Sequence, residues 1–371
     1  MLALVHPHAR ASVQLDIPPR QQWDDYGGYC GEVSIQSIAL YFGTYISQYR
    51  VRAIIDPTQQ QDALVPYNTA PIFDALRLNT TSWNSNSAQP QYQPYLAWAK
   101  AHLALGHPVI IDVYIKGLSD PDYDHIMAAT GFTSTDTTAY HATDTLIFND
   151  NYAATPFTRT FDSLFDTRSM NGNGALYTYC IPRNIDYGCA VTGIKDDSGT
   201  ARPVTLRVDK WGEPNLLHSA APVQMNATIE VRNLTADDIY VLLRYDTYQS
   251  VPTNNYLTSP HGPAIYFVAR QGTHTFTDTF QSDATVIYRC VPSGLLMPGV
   301  TALEMDATLV SLRFTTRSNQ TYYVQASDEL SPASWTTVSS SISGTGGVVT
   351  FTEPRTPGKL RRFYRVCLMT P

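Results

Sequence analysis

Gln21-Gln22-Trp23-Asp24-Asp25-Tyr26-Gly27-Gly28-Tyr29-Cys30-Gly31-Glu32 is the stretch on which the reading of this chain turns. Gly27-Gly28 predicts a turn. Beyond it Val33, Ile35, Ile38, Ala39, Phe42 and Ile46 recur at roughly helical spacing, so a buried helix is expected over 31–46. A cysteine in the first turn of a helix sits where the macrodipole and the backbone N–H groups stabilise a thiolate. Glycines on both sides of it let a substrate carbonyl approach the sulfur. An amide side chain just upstream, Gln22 or Gln21, together with the Cys30 N–H, provides donors for an oxyanion.

A nucleophilic thiol needs a base, and the base needs a third group to orient it. His125 opens the apolar run Ile126-Met127-Ala128-Ala129-Thr130-Gly131-Phe132, which predicts a strand. The next strand, over 145–149, ends at Asn149-Asp150, and either side chain is a candidate for holding the imidazole. Upstream, 70–78 and 93–105 read as amphipathic helices, the second ending at Gly106 with Pro108 beyond it. The run at 109–115 reads as a strand. Helices followed by strands indicate an α+β domain.

Four segments, Gly-Tyr-Cys-Gly-Glu-Val-Ser at 28–34, Gly-His-Pro-Val-Ile-Ile at 106–111, His-Ile-Met-Ala-Ala-Thr-Gly-Phe at 125–132 and Ile-Phe-Asn-Asp-Asn-Tyr at 147–152, occur in order. Together they resemble the C39-like family of papain-fold cysteine peptidases, over about residues 18–183. The resemblance implies Cys30 as nucleophile, His125 as base, Asp150 as orienting residue and an upstream Gln, Gln22, for the oxyanion hole. It also implies peptide or protein substrates.

Past residue 190 the helical signal disappears. Short apolar or alternating runs at 204–208, 227–231, 240–245, 264–268 and 285–288 are separated by Pro, Gly and Asn, the spacing of a β-sandwich. A second β series follows at 309–315, 322–326, 335–338, 348–352 and 362–366. Its Tyr322–Asp328, Ser334–Val338 and Arg361–Val366 stretches resemble the terminal β-sandwich repeats of secreted bacterial proteins. The expected organisation is a papain-like domain over 1–185, a β-sandwich over 186–299 and a small C-terminal β-sandwich over 300–371, the two β segments being either separate or one larger sandwich.

Composition narrows the function classes. Charged residues are only 15% of the chain and the net charge is −7, with no Lys/Arg run; the small basic cluster Lys359, Arg361 and Arg362 reads as a solvated strand edge. Nucleic acid and anionic membrane are therefore not expected as partners. No stretch approaches the roughly 20 apolar residues needed to span a bilayer. Residues 1–5 are too short for the apolar core of a signal peptide, and the Ala-Arg-Ala run at 9–11 is a candidate remnant of a cleavage region. Sequons at Asn79, Asn226, Asn233 and Asn319 fit a secreted or extracytoplasmic protein.

Of the five cysteines, Cys180, Cys189, Cys290 and Cys367 can form two bridges and leave Cys30 as the odd thiol, or all five are reduced. No His lies at ligand spacing with a Cys or carboxylate, His6-Pro7-His8 reads as a tail, and Asp120, Asp122 and Asp124 read as a solvated turn. Neither metal nor cofactor is expected. Two function classes follow: a thiol-dependent hydrolase or a related amidase or acyl-transferase, and a binding or adhesion protein that keeps a silent papain-like scaffold, its β-domains contacting a surface or glycan.

Overall fold

The computed structural model describes residues 11–23, 28–59, 66–113, 125–164, 180–181, 185, 187–257, 259, 261–294, 298–331, 334–356 and 361–369. His6-Pro7-His8, residues 24–27 of the thiol motif, the Asp120/Asp122/Asp124 turn and Lys359 lie outside them. By its internal contacts the chain divides into two compact units. The first holds Met1–Arg232, Leu243–Ala264 and Thr275–Cys290; the second holds Asn233–Leu242, Ile265–His274 and Val291–Pro371.

In chain order the first unit begins with β1 (Ala11–Gln14), α1 (Cys30–Tyr41), β2 (Thr44–Ile46), α2 (Gln48–Ala53), α3 (Thr69–Ala75), β3 (Leu78–Ser82) and α4 (Tyr92–Ala104). There follow β4 (Val109–Val113), β5 (His125–Ser134), β6 (Thr145–Asn149), β7 (Phe157–Thr160), the single turn α5 (Phe161–Leu164) and β8 (Cys189–Ile194). A seven-stranded antiparallel sheet runs in the order β3-β8-β4-β5-β6-β7, and β1 also pairs with β5. The ten-residue β5 meets β4 along its first half (Val113 opposite His125, Val109 opposite Ala129) and β1 along its second (Gln14 opposite Gly131). At Gly131 a Cβ would stand 2.3 Å from the Val13 carbonyl oxygen, so only glycine admits β1 there.

Alternation in β4 and β5 sends side chains to two buried faces, which is why both strands read as unbroken apolar runs. On one face Ile35, Ile38 and Ala39 of α1 pack with Ile110, Ile126, Ala128 and Val191, and Cys30 lies against this cluster. On the other face Tyr95, Leu96, Ala99 and Leu103 of α4, spaced for one helical face, pack with Ile111, Met127, Ala129, Leu146 and Phe148.

One expectation is corrected. The apolar periodicity over 31–46 does not make one helix: α1 stops at Tyr41, and Thr44–Ile46 is a strand. Gly43 has φ +72°, and a Cβ there would approach the Tyr288 carbonyl oxygen and the Val204 Cβ at 3.0 Å each. The chain turns in this left-handed position, and β2 then pairs antiparallel with Thr285–Ile287, in the order Ile46 opposite Thr285 and Thr44 opposite Ile287. A distant strand thus overrides the local helical pattern.

β9 (Val204–Val208) and β10 (Gln224–Arg232) form an antiparallel pair with Ala227 opposite Val208. β11 (Ile239–Tyr245), β12 (Ala264–Val268), β13 (Thr273–Gln281) and β14 (Thr285–Pro292) are the remaining strands before residue 300. Within the second unit lie β15 (Val300–Met305), β16 (Leu309–Thr315), β17 (Thr321–Ser327), β18 (Thr336–Thr337), β19 (Ile342–Ser343), β20 (Val348–Pro354) and β21 (Phe363–Leu368). They make a sheet in the order β15-β16-β20 and another in which β17 pairs with β18, β19 and β21. Leu312, Phe314, Tyr322 and Val324 form the core between these strands. The chain is therefore α+β and mostly antiparallel sheet. No helix among the described residues is long and apolar enough to cross a membrane, and no disulfide joins any of the five cysteines.

Candidate active site

Cys30 is the first residue of α1, and the preceding Tyr29 provides no side-chain cap for the helix. The loop before it is fixed from α2. Arg52 pairs through Nε with the buried Glu32 carboxylate at 2.5 Å, donates through Nη2 to the Gly28 carbonyl at 2.5 Å, and lies 4.0 Å over the Tyr29 ring. Burial pushes the Glu32 carboxyl up, and Arg52 partly offsets that. This one guanidinium thus ties down both sides of the residue that carries the thiol.

Cys30 Sγ accepts a hydrogen bond from the Ile126 backbone N–H at 3.4 Å, which sets the sulfur beside the peptide that joins His125 to Ile126. Asn151 holds the same two elements together. Its Nδ2 donates to the Cys30 carbonyl at 3.2 Å and to the Ile126 carbonyl at 2.9 Å, and Ser34 Oγ donates to Ile126 O at 3.1 Å.

His125 is buried, with 5% of its surface exposed, and burial lowers its pKa to about 4. At neutral pH the ring is an uncharged imidazole able to take a proton. The ring of Tyr152, itself half exposed, stacks on it with centroids 6.1 Å apart and planes 8° from parallel. Gln22 completes the row. Its Nε2 donates to Tyr152 Oη at 2.7 Å, its backbone N–H donates to Asn151 O at 3.0 Å, and its Oε1 is buried without a partner among the described residues. The amide nitrogen carries a second N–H besides the one used on Tyr152. Gln21 is exposed, and its side chain lies against Gly212.

Asn149 and Asp150 diverge. Asn149 Nδ2 donates to the Ile17 carbonyl at 3.0 Å. Asp150, also buried, accepts at Oδ1 from the Tyr152 N–H at 3.1 Å, an Asx turn that swings the chain from β6 toward His125. The structure thus brings Cys30 to the strand of His125 and joins Gln22 to that histidine through Tyr152. Asn151 and Tyr152 are the residues that sequence reasoning passed over. The signal was the strand register: Ala128 stands opposite Asn149. Counting onward in antiparallel register sets Asn151 opposite Ile126 and Tyr152 opposite His125. Among the described residues no group of three or more His, Cys, Asp or Glu is placed to hold a metal.

No family model matches the chain, and no curated protein matches it. Among solved structures, red sea bream transglutaminase is similar at 10% identity with a TM-score of 0.14, over 63% of this chain and 36% of that protein. A likeness at that level settles neither fold nor chemistry.

Proposed function

We propose that the region built around Cys30 is a papain-like cysteine hydrolase of the C39-like kind that cleaves a peptide bond. The observation that carries this reading is the Cys30 sulfur, in the first turn of α1, hydrogen-bonded at 3.4 Å to the amide that follows a buried, neutral His125. In the reaction His125 takes the thiol proton as the sulfur attacks the substrate carbonyl, forming an S–C bond. Gln22 Nε2 and the Cys30 N–H receive the oxyanion. As the tetrahedral species collapses the C–N bond breaks, and the proton on His125 passes to the leaving amine. Water, deprotonated by His125, then hydrolyses the thioester and restores the thiol. Asp150 is the proposed orienting carboxylate, and the substrate is a peptide or protein met outside the cytoplasm.

The test is the rate of Cys30 alkylation by iodoacetamide between pH 5 and 9, read by peptide mass spectrometry, in wild type and His125→Ala. At pH 6 the wild-type thiol should react at least about tenfold faster than in the variant, since only there does a neighbouring imidazole take the thiol proton as the sulfur attacks. Equal rates at every pH would remove the hydrolase reading.

A further inference from the structure

The segment that presents Gln22 is held by residues that follow β9, about 190 positions away in the chain. Arg20 donates through Nη1 to the Lys210 carbonyl, and the Gln21 N–H donates to the Trp211 carbonyl at 3.1 Å. Gly212 lies so close that a Cβ would stand 2.4 Å from Gln21 Oε1. Trp23 Nε1 donates to the Glu213 carbonyl at 3.1 Å. Four consecutive residues, 210–213, thus run beside 20–23.

The Glu213 side chain lies at the centre of this arrangement. It is buried, and its carboxylate accepts three hydrogen bonds: at Oε1 from the Gln48 N–H (2.7 Å), and at Oε2 from Gln36 Nε2 (2.9 Å) and Tyr45 Oη (2.6 Å). Two of the three donors lead back to the Gln22 segment or to the helix of the thiol, and the third, Tyr45, lies on β2. Gln48 accepts from the Trp23 N–H at 3.1 Å and donates to the Gln21 carbonyl at 3.0 Å, bracketing Gln22 on both sides. Gln36, on α1, accepts from Arg20 Nε at 2.9 Å. Glu213, Tyr45 and Arg20 are all buried, and that burial raises the Glu213 carboxyl and the Tyr45 hydroxyl and lowers Arg20.

We infer that Glu213 is a positioning residue for the oxyanion donor: through Gln48 and Trp23 it fixes where the Gln22 amide sits relative to Cys30. The inference rests on the cysteine-hydrolase reading. It makes the stretch after β9 part of the catalytic apparatus, although it touches no substrate. In Glu213→Gln one carboxylate oxygen becomes an NH2 group. Gln36 cannot turn its amide to accept from it, because Gln36 Nε2 also donates to the Ile46 carbonyl at 2.7 Å. Turned the other way, the new NH2 meets the Gln48 N–H instead, so in either orientation a donor faces a donor and the hold on residues 20–23, through Gln36 and Arg20 or through Gln48, loosens.

The experiment separates two reactions of Cys30 in the full chain. Acetylation by p-nitrophenyl acetate passes through an oxyanion and needs the donor in place; alkylation by iodoacetamide displaces iodide at a saturated carbon and does not. Both are read as Cys30 peptide masses in wild type, Gln22→Ala, Glu213→Gln and the double variant. Glu213→Gln should acetylate about tenfold to a hundredfold more slowly, with alkylation unchanged, and the double variant should be no slower than Gln22→Ala. Where Glu213→Gln does not fold, Gln48→Met removes the same bracket and should show the same split. Slow acetylation in Gln22→Ala with wild-type acetylation in Glu213→Gln overturns the positioning role and leaves the hydrolase reading standing. A parallel fall of acetylation and alkylation in Glu213→Gln also overturns it, by marking the residue as merely structural. Wild-type acetylation in Gln22→Ala overturns the Gln22 assignment, and the role of Glu213 with it.

Discussion

Acidification tests the buried imidazole directly. An ordinary histidine titrates at 6.5, and burial brings His125 to about 4. Between those values the unfolded chain binds a proton that the folded chain refuses, so stability rises with pH across this window and is lost as pH falls through it. The linkage amounts to about 2 kcal/mol between pH 7 and pH 5, and ~1 kcal/mol more by pH 4. His125→Gln removes the group. The assay is the urea midpoint at pH 5, 6 and 7, followed by fluorescence of Trp23, Trp83, Trp98 and Trp211, which all lie in the first unit. Subtracting variant from wild type cancels every other titrating group, and the difference should move against wild type by about 2 kcal/mol on going from pH 7 to pH 5. A flat difference would refute the neutral buried base. A difference moving the other way would mean an imidazolium paired with a Cys30 thiolate, whose raised pKa stabilises the fold at low pH instead.

Two substitutions probe the frame around the thiol. Arg52→Ala strands the Glu32 carboxylate in the interior and should cost about 3–5 kcal/mol in urea unfolding; adding Glu32→Gln should recover a large part, and no recovery would mean that the loss comes from the Gly28 and Tyr29 contacts. Asn151→Ala removes the donor shared by the Cys30 and Ile126 carbonyls and should cost about 1–3 kcal/mol. It should also slow Cys30 acetylation, and wild-type values of both would remove Asn151 from the site.

Local signals in the sequence were read well where they matched the final environment. The run Val109-Ile110-Ile111 and the strand after His125 are apolar on both faces because α1 and α4 cover both faces, and the thiol does open a helix. The α4 limits lie within a residue of the periodicity and its Gly106 stop. What sequence could not show was pairing between distant segments. Ile46 is as apolar as a helix position requires, but its neighbour is Thr285, and nothing near Ile46 says so. β8 enters the first sheet between β3 and β4, a placement no local pattern encodes. Asn151 and Tyr152 were passed over because their role depends on the β5–β6 register. Glu213, an isolated acid between Gly212 and Pro214, carries no motif at all.

The turn at Gly43 has a consequence for how the protein is made. A chain leaves the ribosome from its N-terminus, so α1 with its cysteine is out before β14 is made. The strand that continues it, β2, has its partner in Thr285–Ile287, more than half the chain length later in synthesis. Contacts of such long sequence separation form late and raise the entropic barrier to folding. The helix that carries Cys30 therefore gains the partner of the strand that continues it only after Thr285–Ile287 has been made, and until then that end of the helix is undocked.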